Sequence, residues 1–189
     1  MLGLGPDAWA YAVAAVTLSV ASVTDIRRGR IYNWTTYPAI AIGLIGHSLL
    51  GGVAGDEHMG LLGSLAGLAV GAGLLLLAWL AGGIGGGDVK LMGAVGALTG
   101  WRFCMTALFY GLIVSGLMAI FVMLRHRVLK ETLGRVLRFL YLLVIGAKPG
   151  DPSTPQSPTV AMGLAFHIGT AVAMVLAVIF GPGGAGWVF

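Results

Sequence analysis

The amino-acid sequence predicts an all-α fold, a polytopic membrane protein built as a six-helix transmembrane bundle. Three observations carry that prediction. Charged residues make up 10% of the 189 positions and hydrophobic residues 58%, whereas a soluble domain carries about 25% charged residues. Five runs hold no Asp, Glu, Lys or Arg: Ala8 to Thr24, Tyr37 to Val53, Leu61 to Ala81, Phe103 to Leu124 and Ala161 to Phe180. A spanning helix needs about 17–25 such residues, because it rises ~1.5 Å per residue through ~30 Å of hydrocarbon. Third, the basic residues cluster between these runs. There they set topology, so the net charge of +4 is no sign of a nucleic-acid partner.

The first run has no basic region before it, and Arg27, Arg28 and Arg30 follow it. It therefore reads as a retained span rather than a signal peptide, with its basic loop cytoplasmic and the N-terminus outside. The second run ends in an acidic outer loop, Gly55-Asp56-Glu57-His58. The third returns to the inner side at Gly82-Gly83-Ile84-Gly85-Gly86-Gly87-Asp88-Val89-Lys90. The loop after Leu124 holds Arg125, Arg127, Lys130, Arg135, Arg138 and Lys148 and belongs inside as well. Two crossings must then fit between Asp88 and Arg125.

That stretch, Val89 to Leu124, has 36 residues. At ~1.5 Å each it totals about 54 Å, short of two ~30 Å crossings. The fourth helix is therefore expected to begin below the lipid surface, with Asp88 in a cavity open to the cytoplasm. A turn is expected near Gly100-Trp101-Arg102, with Trp101 as an interface anchor. Both termini fall outside, and ten of the eleven Lys and Arg lie inside, Arg102 being the exception.

Between Arg125 and Tyr141, Val128, Leu133, Val136, Leu137 and Leu140 share one helical face, and the charges fall mostly on the other. The segment reads either as an amphipathic helix on the inner membrane surface or as an ordinary basic loop. Leu140 to Ala147 is apolar but too short to span, and Pro149 to Pro158, with four prolines, is a loop. Residues 1–189 read as a single membrane domain with a cytoplasmic amphipathic or loop segment over 125–158. The 32 glycines suit close helix packing. The single Cys104 excludes an internal disulfide framework and a multi-cysteine zinc site. His47 and His167, inside apolar helices, read as hydrogen-bonded packing residues, because no partner at metal-ligand spacing accompanies them. No metal and no cofactor are expected.

Burying a charge in hydrocarbon costs several kcal/mol, so ionisable residues near apolar runs tend to be functional. Asp25 ends the first span and Asp88 begins the fourth, 63 positions later, and both map to the cytoplasmic side. Two carboxylates at one depth can share a water. One, ionised, takes its proton, and the other, protonated, polarises a scissile carbonyl. The plainer readings are an ion pair of Asp25 with Arg27 or Arg28, and Asp88 as a helix N-cap. Gly85, Gly86 and Gly87 before Asp88 permit positive φ and close approach of another backbone, as an extended substrate would need. A phosphate-binding loop is disfavoured, since Lys90 does not directly follow a glycine. Lys90 either orients Asp88, binds lipid phosphate or snorkels to the interface. Rival functions are a small proton- or cation-coupled transporter and a non-catalytic assembly subunit.

Thr24-Asp25-Ile26-Arg27-Arg28-Gly29-Arg30-Ile31-Tyr32-Asn33-Trp34 resembles the first aspartate motif of type IV prepilin peptidases. Gly85-Gly86-Gly87-Asp88-Val89-Lys90-Leu91 resembles their second, a Gly-x-Gly-Asp motif. The resemblance extends over nearly the whole chain, and it implies Asp25 and Asp88 as catalytic residues in a multi-pass protein of a bacterial or archaeal cell membrane. The region of paired Cys motifs linked to N-methylation in larger members is missing. The chain looks like the short TadV/CpaA-like form, which implies cleavage without methylation. The implied partner is a prepilin with a short basic leader ending in Gly, followed by a hydrophobic helix. Pro158-Thr159-Val160 departs from the family's pattern, so the start of the last run receives no role.

Overall fold

The structure, a computed structural model, describes residues 7–55, 57–80, 83–128, 130, 132–134, 137–138, 141 and 161–180. Among these residues all regular structure is helical. The elements are α1 (Ala8–Arg28), α2 (Asn33–Gly51), α3 (Leu61–Leu80), α4 (Gly86–Arg125) and α5 (Met162–Phe180). The chain forms two compact units, Met1–Val114 with Ala161–Phe189, and Ser115–Val160.

In the first unit α1 packs against α2 and α5, and α2 against α3. Small side chains on one face of α1, Ala10, Ala14, Thr17, Ala21 and Ser22, are buried together with Leu18. That helix ends because Gly29 adopts a left-handed conformation, φ 61°, and donates its N–H to the carbonyl of Asp25. On α3 the buried face is Ser64, Gly67, Gly71 and Leu75, again at helical spacing. Gly67 meets Gly96 of α4 so closely that a methyl group on either would overlap the other's backbone. Such contacts drive helix association where the hydrophobic effect is weak.

The long α4 is broken at Gly100, whose φ of 80° and ψ of 168° are essentially confined to glycine. Met92 and Cys104 would lie about 18 Å apart along a straight helix. Instead the Sγ of Cys104 stands 3.6 Å from the Met92 carbonyl. The chain folds back into a hairpin of two helical arms, turning where the sequence places its turn. From Leu91 to Leu98 the first arm is buried all round, so it forms the centre of the unit. Its last turn leaves carbonyls without helical partners. Ser64 Oγ donates to the Ala97 carbonyl at 2.6 Å, and His47 Nε2 donates to that of Leu98 at 2.8 Å. Leaving such a group buried and unpaired costs about 1–3 kcal/mol.

The second arm buries a stripe, Cys104, Ala107, Leu108 and Gly111, while Phe109, Leu112 and Ile113 face outward. Outward-facing apolar side chains recur on the other helices, among them Leu49 at 80% and Leu77 at 68% exposure. A surface of this kind suits lipid, not water. Helices α1, α3, α4 and α5 are long and apolar enough to cross a membrane, and the protein is a multi-pass membrane protein. Helix α2 is not among the four. It begins at Asn33, before the Tyr37–Val53 run, and Asn33, Thr35, Thr36, His47 and Ser48 dilute its apolar character.

In the second unit α4 runs on to Arg125 and a turn follows, with Arg127 at φ 57°. Helical conformation returns at Lys130, Thr132–Gly134, Leu137, Arg138 and Tyr141. Leu133, Leu137 and Tyr141, four residues apart, are more than half exposed. Val136, Leu140, the rest of the 140–147 stretch and the proline-rich 149–158 segment lie outside the described residues.

Candidate active site

The last turn of α1 carries Asp25, and the chain then leaves the helix at Gly29 and runs extended through Tyr32 into α2. Asp88 sits in the first turn of α4, two residues beyond its start at Gly86, so it is not the N-cap. The Asp88 N–H donates to the Gly85 carbonyl at 3.1 Å. These segments enclose a cavity of about 390 Å³. Asp25 and Asp88 both line it, with Gly29, Arg30, Ile31, Tyr32, Asn33, Gly85 and Gly87 around them. The structure thus brings the two carboxylates together from opposite ends of a 63-residue separation.

Their surroundings differ. Asp88 is 8% exposed, and its Oδ1 has no hydrogen-bond partner among the described residues. Asp25 is half-buried, and its Oδ2 accepts the backbone N–H of Gly163, in the first turn of α5, at 2.8 Å. The alternative in which Asp25 pairs with a neighbouring arginine is not what forms. Among the described residues Asp25 makes no ion pair, and Arg28 donates to the Tyr32 hydroxyl at 3.2 Å with its guanidinium over that ring.

The glycines before Asp88 differ from the sequence expectation in one respect. Positive φ occurs at Gly29, Gly52, Gly55 and Gly100 among the described glycines, and not at Gly85, Gly86 or Gly87. Their role is close approach. A Cβ on Gly87 would lie 2.9 Å from Cβ of Ile31, and one on Gly85 would lie 3.0 Å from the Asp88 carboxylate. Gly86 faces Trp79 instead and does not line the cavity. Lys90 does not line the cavity. Its Nζ donates to Asn33 Oδ1 at 2.9 Å and lies 5.2 Å from the centre of the Tyr37 ring. It ties the first turns of α4 and α2 together.

Gly163 and Ser22 were not singled out by the sequence. Both lie inside apolar runs, and nothing local marks them. At the other end of α1, Asp7 accepts the Met59 N–H at 2.9 Å and pairs with His58 Nδ1 at 3.0 Å. Among the described residues no group of three or more His, Cys, Asp or Glu is placed to hold a metal.

An apolar helical fold with two acids facing one cavity near helix ends defines a class of membrane protein with a carboxylate-pair site. The family model for the type IV leader peptidase family matches residues 12–121, more than half of the chain and including both acids, and the chain belongs to that family. Comparison with curated proteins and with solved structures gave no match.

Proposed function

We propose that the protein is a membrane aspartyl endopeptidase that removes the leader peptide of type IV, Flp-like prepilins after a Gly at the cytoplasmic membrane face. Asp25 and Asp88 activate the water that attacks the scissile carbonyl. The observation that carries this reading is the shared cavity: two acids from α1 and α4 line one space of about 390 Å³ in a chain of a leader peptidase family. Asp25 has a charge-assisted donor in the Gly163 N–H, which suits it to take the proton from water. Asp88 then polarises the carbonyl, the division of labour available to any close acid pair.

The topology that serves this chemistry has six crossings, the two arms of α4 counting separately, with both termini outside and segment 125–158 at the inner surface. The basic loops at Arg27 to Arg30 and Arg125 to Arg138 support it. The substrate's hydrophobic helix lies among the outward apolar faces while its leader stays at the inner surface. Leader cleavage is assigned alone, without methyl transfer, as the resemblance to the short form implies.

Purified protein in lipid vesicles, given a prepilin with a Gly junction, tests the proposal by product mass. Cleavage after the Gly is expected from the unsubstituted protein, and Asp25→Asn or Asp88→Asn is expected to lower it by at least about 10²-fold. No cleavage of several such prepilins by folded protein would rule the proposal out. Cleavage that survives both substitutions would place the reacting groups elsewhere.

A further inference from the structure

Ser22 and Asp25 lie three residues apart on α1 and so share a face. Both reach the same residue of α5. Asp25 Oδ2 accepts the N–H of Gly163 at 2.8 Å, while Ser22 Oγ lies 3.1 Å from the carbonyl oxygen of Gly163. Gly163 is buried, and the site has no room for a larger residue. A Cβ there would stand 3.0 Å from Asp25 Oδ2 and 3.3 Å from Ile31 Cδ1. Helix α1 therefore grips both polar groups of one residue, using the candidate base for one of them.

The serine has more neighbours than protons. Its Oγ is also 2.7 Å from the Leu18 carbonyl and 3.1 Å from Nδ1 of His167, one turn beyond Gly163 on α5. A hydroxyl donates once and accepts twice. If Nδ1 of His167 is bare, the hydroxyl proton is drawn to it and the hold on Gly163 is lost. With the proton on Nδ1, His167 donates to Ser22, and the one hydroxyl proton is shared, bifurcated, between the Leu18 and Gly163 carbonyls. The hydrogen-bond chain His167, Ser22, Gly163, Asp25 is then complete.

We propose that Ser22 and His167 are positioning residues for Asp25, fixing Gly163 so that its N–H orients the Asp25 carboxylate toward the cavity shared with Asp88. The assignment rests on the aspartyl-peptidase reading above. Its distinct content is that a polar pair outside the cavity, on the α1–α5 contact, sets the geometry of one acid. His167 also borders an apolar groove of about 460 Å³ with Leu164, Ile168 and Val172. The groove supplies the competing role, in which Nε2 reads a substrate side chain.

Ser22→Ala, His167→Leu, His167→Asn and His167→Gln, made in the full chain and assayed in vesicles on a Gly-junction prepilin, separate these roles. Asn places its amide near the position of Nδ1, and Gln places its amide near Nε2. Positioning predicts that Ser22→Ala and His167→Leu each lower kcat about tenfold with KM nearly unchanged, since small misplacements of a reacting group have effects of this order. It further predicts that His167→Asn recovers most of kcat while His167→Gln does not, and that Ser22→Ala with His167→Leu is no worse than either alone. Unchanged kcat in both single variants, or rescue by Gln rather than Asn, would overturn the assignment.

A readout independent of cleavage accompanies these assays. In ¹⁵N-histidine-labelled protein, the His167 signal, identified by its loss in His167→Asn, is expected to report a protonated Nδ1. A protonated Nε2 with bare Nδ1 overturns the positioning chain even if the unsubstituted enzyme cleaves. Absence of cleavage by the unsubstituted protein overturns the peptidase reading, and the positioning role with it.

Discussion

The imidazole of His47, fully buried on α2, donates from Nε2 to the carbonyl of Leu98 at 2.8 Å, just before α4 breaks. The bond satisfies an acceptor that the break strips of its helical partner. Replacing His47 with Leu keeps the bulk and removes the donor. The expected result is a loss of about 1–3 kcal/mol of stability, read by denaturant unfolding in detergent. An unchanged midpoint would show that the hairpin tolerates the bare carbonyl.

Two glycines with positive φ offer a graded comparison. At Gly29, φ 61°, a Cβ would meet nothing within 4 Å, so Gly29→Ala carries the conformational cost alone, about 1–2 kcal/mol. At Gly100, φ 80°, a Cβ would also lie 2.8 Å from Sδ of Met59, and the conformation itself is worth about 1–3 kcal/mol. Gly100→Ala is expected to destabilise more than Gly29→Ala in the same unfolding assay. The reverse order would contradict the hairpin geometry.

Gly87→Ala and Gly86→Ala differ by one position and by what they strike. The first drives a methyl group into Ile31, across the cavity wall, whereas the second approaches only the Trp79 ring, at 3.3 Å. Moving Ile31 shifts the segment between Asp25 and α2. Cleavage by Gly87→Ala is expected to fall by up to about 10²-fold, the effect of a misplacement near 1 Å. Gly86→Ala is expected to remain much closer to the unsubstituted rate. Equal losses would mean that the whole glycine segment acts as one mobile unit.

Lys90, drawn from the sequence as part of the active-site loop, spends its charge on Asn33 and the Tyr37 ring. Lys90→Met is expected to lower stability by no more than about 1 kcal/mol, as for an exposed polar contact. It is expected to leave kcat near the unsubstituted value. A loss comparable to that of Asp88→Asn would return Lys90 to the chemistry.

The legible part of this fold is the part governed by transfer to lipid and by local chain geometry. Apolar runs mark helices because burial in hydrocarbon demands them. The turn at Gly100 was legible from topology, since the basic residues put both ends of the Asp88–Arg125 stretch on one side and the chain must double back between them. The pairing of Asp25 with Asp88 in one cavity was legible only through the topology that placed both on one side. What escaped is non-local. Gly163 and Asp25 are 138 positions apart, and His47 and Leu98 are 51. A glycine inside an apolar run looks the same whether it packs on lipid or donates to a carboxylate. For the three glycines before Asp88 the sequence allowed both positive φ and close approach, and only the neighbours they meet in the fold, Ile31, Asp88 and Trp79, select the second use.

Asp25 leaves the ribosome with α1, and its backbone donor follows with α5. At about 5–20 residues per second, the 138 positions between them represent on the order of ten seconds of synthesis. Throughout that interval the acid is already in place, but the amide that holds it has not been made. A nascent or prematurely terminated chain therefore carries the two acids without the arrangement that directs them. Under the proposed reading, the membrane domain gains a cutting edge only when α5 has docked, so a copy still lacking that helix poses little danger to the other helices in its membrane.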